Sequence, residues 1–391
     1  MPTARVYLDH AATTPVRPEV LETMLPYLGA ERFGNPSSAH WFGRDARAGL
    51  EQARGEVALA LEVEPPEVVF TSGGTEADNL AILGAGLAAR TSLRPMLAAV
   101  ATTEHKAVLA GAHAVHALGG QERTIPVGRG GLLELDALEN VLDHRPAVVS
   151  VMWVNNETGV IQPIAEVASR CADRKVLFHT DMVQALGKIR ATLAGLPIGL
   201  ATISGHKLGA PKGIGALIVR KGVVLEPIIH GGGQQLGIRP GTENIAGAVA
   251  LGRAVTLAVA EQAAEGQRLE RLRNRLAERL RAAIPDLVVA GEDAPRAPHV
   301  LNLLVPGADS GTMLMHLDVA GVAASSGSAC TTGAVEPSHV LVAMGLRRDL
   351  ALGAIRFSLG KETTEADVDR AAGVLPEVVA RSRRVSEVLG G

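Results

Sequence analysis

The sequence predicts an α/β protein built on a mostly parallel, seven-stranded sheet, and three features carry that prediction. Between residues 67 and 220, short apolar runs alternate with amphipathic segments such as TEADNLAILGAGLAA, HKAVLAGAHAVHAL and IAEVASRCADR, the strand–helix order of a parallel sheet with right-handed crossovers. Several of the runs are apolar throughout instead of alternating, as suits strands covered on both faces. After Gly241 the pattern changes to one long helical stretch, first apolar and then strongly charged, followed by a mixed region.

The strands read in order as EVVFT (67–71), MLAAVAT (96–102), RTIPV (123–127), AVVSVMWV (147–154), VLFHT (176–180), LATIS (200–204) and GIGALIVRK (213–221). Two further strands, HVLNLLV (299–305) and AIRFSLG (354–360), belong to the later region. This divides the chain into a large domain over 15–258 and a smaller α+β domain formed by 1–14 and 259–391, with the hinge near 255–265 and the first residues packing on the small domain or crossing the site.

Composition narrows the function. A net charge of −3, from 38 basic and 41 acidic residues, gives no footprint for nucleic acid or an anionic membrane. The start MPTARVYLDHAATTP lacks an apolar signal segment, and no run of 18 apolar residues is free of charge, so a cytoplasmic protein is expected. Two cysteines exclude a disulfide framework. Cys171 falls in an amphipathic helical pattern and reads as a buried thiol, whereas Cys330, in SSGSACTTG, has small polar neighbours and no helical period, the setting of a loop thiol that another molecule can reach.

In a parallel sheet the residues just past the strand C-termini line the ligand crevice. Here those stretches are SGGTE (72–76), TEHK (103–106), NNETG (155–159), DMVQ (181–184) and SGHK (204–207). The glycine pair before Thr75 opens a helix whose first amides favour an anion, with Thr75 as its cap; a plain capped turn is the simpler reading. Asp181 is placed to pair with a protonated pyridine nitrogen, or else to cap the segment that follows it. Lys207, beside Ser204 and His206, can form an imine with an aldehyde cofactor; Lys212 is the other lysine of this stretch and reads as a turn residue. His105 can stack on a ring and shuttle a proton, or cap its helix, and Asn156 can donate to a phenolate oxygen or make an Asx turn. One residue alone decides little. Together at one sheet edge they meet every requirement of pyridoxal 5'-phosphate, with no metal.

In its motifs the chain resembles the cysteine desulfurases of the class V aminotransferase fold, the type that serves nitrogenase and iron–sulfur cluster assembly. The resemblance runs almost end to end, through YLDHAATTP, FGNPSSAH, TSGGTEADNLAI, TEHKAVL, VNNETGVIQPI, SGHKLGAPKGIGAL, RPGTENIAG, SSGSACTTG and AIRFSLG. It implies the fold of type I pyridoxal-phosphate transferases, with Lys207 carrying the cofactor, Asp181 facing its ring nitrogen, and Gln184 and Asn156 near its phenolate oxygen. Gly74, Thr75, Ser204 and His206 would hold the phosphate, and Thr242 would reach the phosphate of a second subunit, implying a homodimer. Asn35 and Arg356, with Asn156, would bind the carboxylate of L-cysteine, His105 would stack on the ring, and Cys330 would accept sulfur before passing it to an acceptor or cluster-scaffold protein. The alternatives on the same fold are an aminotransferase, which would not need Cys330, and a selenocysteine lyase; a non-enzymatic scaffold would not need Lys207. Two departures stand out. Gln235 and Leu236 occupy places where an acidic and a basic residue are expected, and the chain closes on VSEVLGG, short of the extension some members use to dock a scaffold.

Overall fold

The structure is a computed structural model, and it describes residues 5–327 and 336–390. Twelve strands are present among the described residues. They are β1 (Val6–Tyr7), β2 (Val68–Thr71), β3 (Leu97–Ala101), β4 (Gln121–Ile125), β5 (Val148–Ser150), β6 (Phe178–Asp181), β7 (Leu200–Ser204), β8 (Gly215–Val219), β9 (Val288–Val289), β10 (Val300–Leu304), β11 (Val322–Ala323) and β12 (Ala354–Ser358).

The seven apolar runs of the first half build one sheet in the order β2-β8-β7-β6-β5-β3-β4. Only β8 runs against its neighbours, antiparallel to both β2 and β7, so the other six point the same way. Strands β2, β3, β5, β6, β7 and β8 are buried along their whole length, as continuous apolar runs between two helical layers must be. β4 is the exposed edge, and it stops at Ile125 because Pro126 has no N–H to give the ladder. The run 147–154 forms a strand over only three residues: beyond it the Met152 N–H turns to the Glu104 carboxyl at 2.5 Å and leaves the ladder.

The second core lies on the antiparallel sheet β12-β10-β9 and the parallel pair β1-β11. The long helix Ile245–Ala283 serves both cores: Ile245 to Val255 pack in the first, and Leu269, Leu272, Leu276 and Leu280 in the second. The place expected for a hinge, 255–265, is therefore the interior of one unbroken helix. Its apolar half lies close against the helix Trp41–Leu61, where a Cβ on Gly252 would come 3.1 Å from Ala53 Cα. Part of the last third of the chain (Ala297, Leu304, Leu341, Ala354) also packs into the first core. The N-terminus does both things expected of it. β1 joins β11, and the backbone at Ala11 and Ala12 then crosses the sheet edge where the site lies.

Candidate active site

Because six strands are parallel, the ends of β2, β3, β5, β6 and β7 open on one edge, and that edge surrounds a cavity of about 450 Å³. Gly74, Thr75, His105, Asn156, Asp181, Gln184, Ser204, His206 and Lys207, nine of the residues singled out in the sequence, line it.

Lys207 closes the short helical turn Gly205–Lys207 that follows β7. Its Nζ donates to the Ala11 and Ala12 carbonyls, each at 2.6 Å. Burial, then the Arg356 guanidinium, push this amine down to about 8, against the opposing pull of Asp9 and Asp181. A lysine so lowered has a usable fraction of neutral, nucleophilic amine near physiological pH.

Asp181 ends β6 and is buried. Its Oδ1 accepts the Val183 N–H at 2.8 Å, so one oxygen makes the local turn and the carboxyl still borders the cavity. Burial raises its pKa, and the nearby His105, the Val183 N–H and Lys207 oppose that rise. His105 is the N-cap of the helix Lys106–Ala117: Nδ1 accepts from the Ala107 N–H at 3.2 Å, which leaves Nε2 as the ring nitrogen that donates. Cap and pocket residue are the same side chain. The two asparagines of NNETG divide their work. Asn155 makes the Asx turn, its Oδ1 accepting the Glu157 and Thr158 N–H groups at 3.0 and 2.9 Å, while Asn156 borders the cavity.

The phosphate end differs from expectation in one respect. Thr75 is not the cap. The helix Gly74–Thr91 begins two residues earlier than a Thr75 cap would place it, Gly73 is its N-cap, and no side chain caps it. A side chain at 74 would have little room, since its Cβ would stand 3.3 Å from Val183 Cγ2 and 3.4 Å from Ser204 Cβ. An uncapped helix start next to a glycine cradle suits an oxyanion. His206 Nδ1 pairs with Thr13 Oγ1 at 3.1 Å, and burial, then Lys207 and Lys212, push its pKa down to about 4, keeping the ring neutral.

Three expected residues, Arg356, Asn35 and Thr242, stand apart from the cavity wall. Arg356, buried on β12, donates to the Asn156 carbonyl at 2.9 Å and to Asp9 Oδ1 at 2.7 Å, and its Nε has no partner. Asn35 is exposed and accepts the Ser37 N–H at 2.9 Å, and Thr242 is exposed as well; neither lines the cavity. Cys330 lies outside the described residues. Gln184 lines the cavity with its amide already engaged, Nε2 donating to the Ala11 carbonyl at 3.0 Å and Oε1 paired with His299 Nε2 at 3.1 Å. Gln235 is buried with its Oε1 accepting from Phe70 N–H at 2.9 Å and from Arg54, so the departure from an acidic residue leaves a neutral amide facing a guanidinium.

Sequence reasoning missed the Ala11 and Ala12 carbonyls, because backbone acceptors leave no trace in residue type. It also missed Asp78, Glu104 and His179, fully buried ionisable side chains beneath the site. Here a signal was available. His179 and Asp78 sit within an apolar strand and a helix start, where a charged type is out of place unless paired.

The pocket therefore offers a lysine anchor, a carboxylate across from it, a stacking imidazole and an oxyanion cradle, and these donors fit a phosphorylated pyridine aldehyde. Fold and pocket together define an enzyme of the class V aminotransferases: the model of that family, "Aminotransferase class-V", matches residues 6–371. Among curated relatives, a cysteine desulfurase IscS from Dictyoglomus turgidum is 41% identical over 381 residues, 97% of this chain and 96% of that protein. A cysteine desulfurase from Trichormus azollae is 45% identical over 383 residues, 97% of this chain and 94% of its own. A solved NifS-like protein superposes with a TM-score of 0.89 at 36% identity, over 96% of this chain and 100% of that one. A structure described as SspA in complex with cysteine gives 0.78 at 32% identity, over 90% and 98%. The chain belongs to the cysteine desulfurase family within that class.

Proposed function

We propose that the protein binds pyridoxal 5'-phosphate on Lys207, takes L-cysteine as substrate and moves its sulfur to Cys330, releasing L-alanine. The observation that carries this reading is the shared cavity of Lys207 and Asp181, an amine and a carboxylate at the ends of adjacent strands. The cofactor, when bound, supplies the electron sink. The chain's own residues do the rest. Asp181 would present a negative oxygen to the ring nitrogen, and the Gly74 and Thr75 amides, with Ser204 and His206, would hold the phosphate. His105 would cover the ring, and Asn156 and Gln184 would serve the phenolate oxygen.

Lys207, with its lowered pKa, supplies a neutral amine that can take and return a proton at the substrate carbon. Arg356 has an unpartnered Nε beside Asn156, and we assign it, with Asn35, to the substrate carboxylate. Cys330 as thiolate forms a bond to the substrate sulfur while the carbon–sulfur bond breaks. The bonding pair stays with the carbon, which is protonated on the way to alanine, and the enzyme keeps a persulfide. Thr242 on the surface of one copy would complete the phosphate site of another, so the working form is a homodimer. A sulfur-acceptor or cluster-scaffold protein then removes the sulfur.

The test is direct. Incubation with cysteine gives alanine and a one-sulfur mass increase on the peptide holding Cys330; Cys330→Ala keeps the cofactor's visible absorbance and loses sulfide release. Undiminished release by Cys330→Ala would remove the persulfide route.

A further inference from the structure

Gln184, just past the end of β6, borders the cavity with an amide held at both ends. Its Nε2 donates to the Ala11 carbonyl at 3.0 Å, and its Oε1 lies 3.1 Å from His299 Nε2. The three residues come from separate parts of the chain, Ala11 lying 173 positions from Gln184 and His299 lying 115. His299 immediately precedes β10, and its carbonyl accepts the Leu359 N–H at 2.8 Å, so the sheet β12-β10-β9 places its ring. His299 is 1% exposed, and its Nδ1 has no partner among the described residues.

Donor and acceptor types settle where the hydrogens of this link sit. A carbonyl oxygen only accepts, so the atom facing Ala11 is the amide nitrogen, and Oε1 is then the atom facing His299. An amide oxygen also only accepts, so the ring nitrogen facing it carries the hydrogen. The other tautomer would set two lone pairs together and strand a donor at Nδ1 in the interior. A second ring proton would strand the same donor and add a buried charge; burial, then Lys188, Arg356, Arg273 and His10, oppose it. Gln184 uses one of its two Nε2 hydrogens on Ala11. No acceptor among the described residues takes the other, and the amide borders the cavity.

We propose that His299 is a positioning residue: its Nε2–H, given to Gln184 Oε1, locks the amide with its free N–H toward the cavity as a donor for the phenolate oxygen. Without that hydrogen bond Oε1 would be a buried acceptor with no donor. Turning the amide to find one would set oxygen against the Ala11 carbonyl. The ring also draws charge toward Oε1, which strengthens the remaining N–H as a donor. The role at the phenolate rests on the proposed cofactor reading; the orientation of the amide does not.

Nitrogen NMR spectra of the full-length apo wild type, isotope-labelled on histidine, test the lock first. The ring signal that is lost in His299→Gln shows a proton on Nε2 and none on Nδ1. The opposite tautomer, or a doubly protonated ring at neutral pH, overturns the proposal. Pyridoxal phosphate is then titrated into the apo forms. His299→Phe or, where that does not fold, His299→Leu fills the space without a donor, raising the dissociation constant about tenfold and shifting the visible band of the bound cofactor. His299→Gln, whose amide N–H reaches as far along the side chain as Nε2, stays within about threefold of the wild type with the band unmoved. A His299→Gln as weak as the donor-free variant overturns the proposal. In a Gln184→Met background the donor-free variant weakens binding no further, because His299 acts through Gln184. Effects that multiply in the double variant show a ring that only supports the fold, and the positioning role falls. A wild type that binds no pyridoxal phosphate sinks the cofactor reading and the role at the phenolate together, and the Nε2–H signal, still present, tells that result from a failure of His299.

Discussion

The wall of the pocket and its floor both bury ionisable groups at strand ends, yet they treat charge in opposite ways. At the wall, the Lys207 amine is met by the Ala11 and Ala12 carbonyls, backbone acceptors that cannot titrate. On the floor, the buried His179 ring is met by the Ser150 and Thr202 hydroxyls, groups that can turn. A fixed dipole holds a side chain in place, whereas a hydroxyl adjusts to whichever protonation state lies beside it. The wall positions one reactive atom.

The largest expected effect comes from removing the atom that the wall positions. Lys207→Ala lowers the rate of alanine formation from cysteine by about 10³-fold or more and abolishes the protein-bound cofactor absorbance. If the activity survives in Lys207→Ala, the wall has no special part and Lys212 becomes the candidate.

A pH series on the apo protein sharpens the contrast. The folded-state pKa of Lys207 is depressed from 10.5 to about 8, so the stability linked to it is present above 10.5 and is lost as pH falls through about 8. The denaturation midpoint of the wild type therefore rises between those values, and Lys207→Met flattens that rise. The floor acts on the acid side. Burial depresses His179 from 6.5 to about 3, so its share of stability is present above 6.5 and fades as pH drops toward 3. His179→Asn softens the acid limb and leaves the alkaline one alone. A single variant that changes both limbs equally would show that wall and floor are one electrostatic unit.

The smallest effect belongs to a group that belongs to neither region. Cys171 is fully buried on the helix Ile164–Asp173, and burial pushes its thiol up to about 12, so it has almost no thiolate. Cys171→Ala costs about 1 kcal/mol of stability by chemical denaturation and leaves kcat/KM unchanged. Under native conditions an alkylating reagent consumes one thiol per chain in both proteins, which places the reactive cysteine at 330.

Much of this was legible from residue order because it depends on local pattern. Apolar runs too continuous for a half-exposed strand announce a covered parallel sheet, and polar clusters at their ends announce the crevice, so Lys207, Asp181, His105 and Asn156 were found from spacing alone. The domain division was less legible. The apolar-to-charged change near residue 258 looks like a boundary, but a helix can change the core it faces without breaking its hydrogen bonds, and Ile245–Ala283 does so. Thr75 was misplaced as a cap for a related reason: a glycine with free φ, Gly73, let the helix start two residues sooner.

What the sequence by itself determined is the set of reactive side chains and the edge they share, since both follow from strand period and loop composition. What only the tertiary structure decided is the partner of each: two carbonyls of the N-terminal segment on Lys207, 196 and 195 positions away in the chain, and two hydroxyls from neighbouring strands on the His179 ring behind Asp181. Partners of that kind come from strands and segments brought together by packing, and packing also removes the water that would otherwise have set every pKa to its ordinary value.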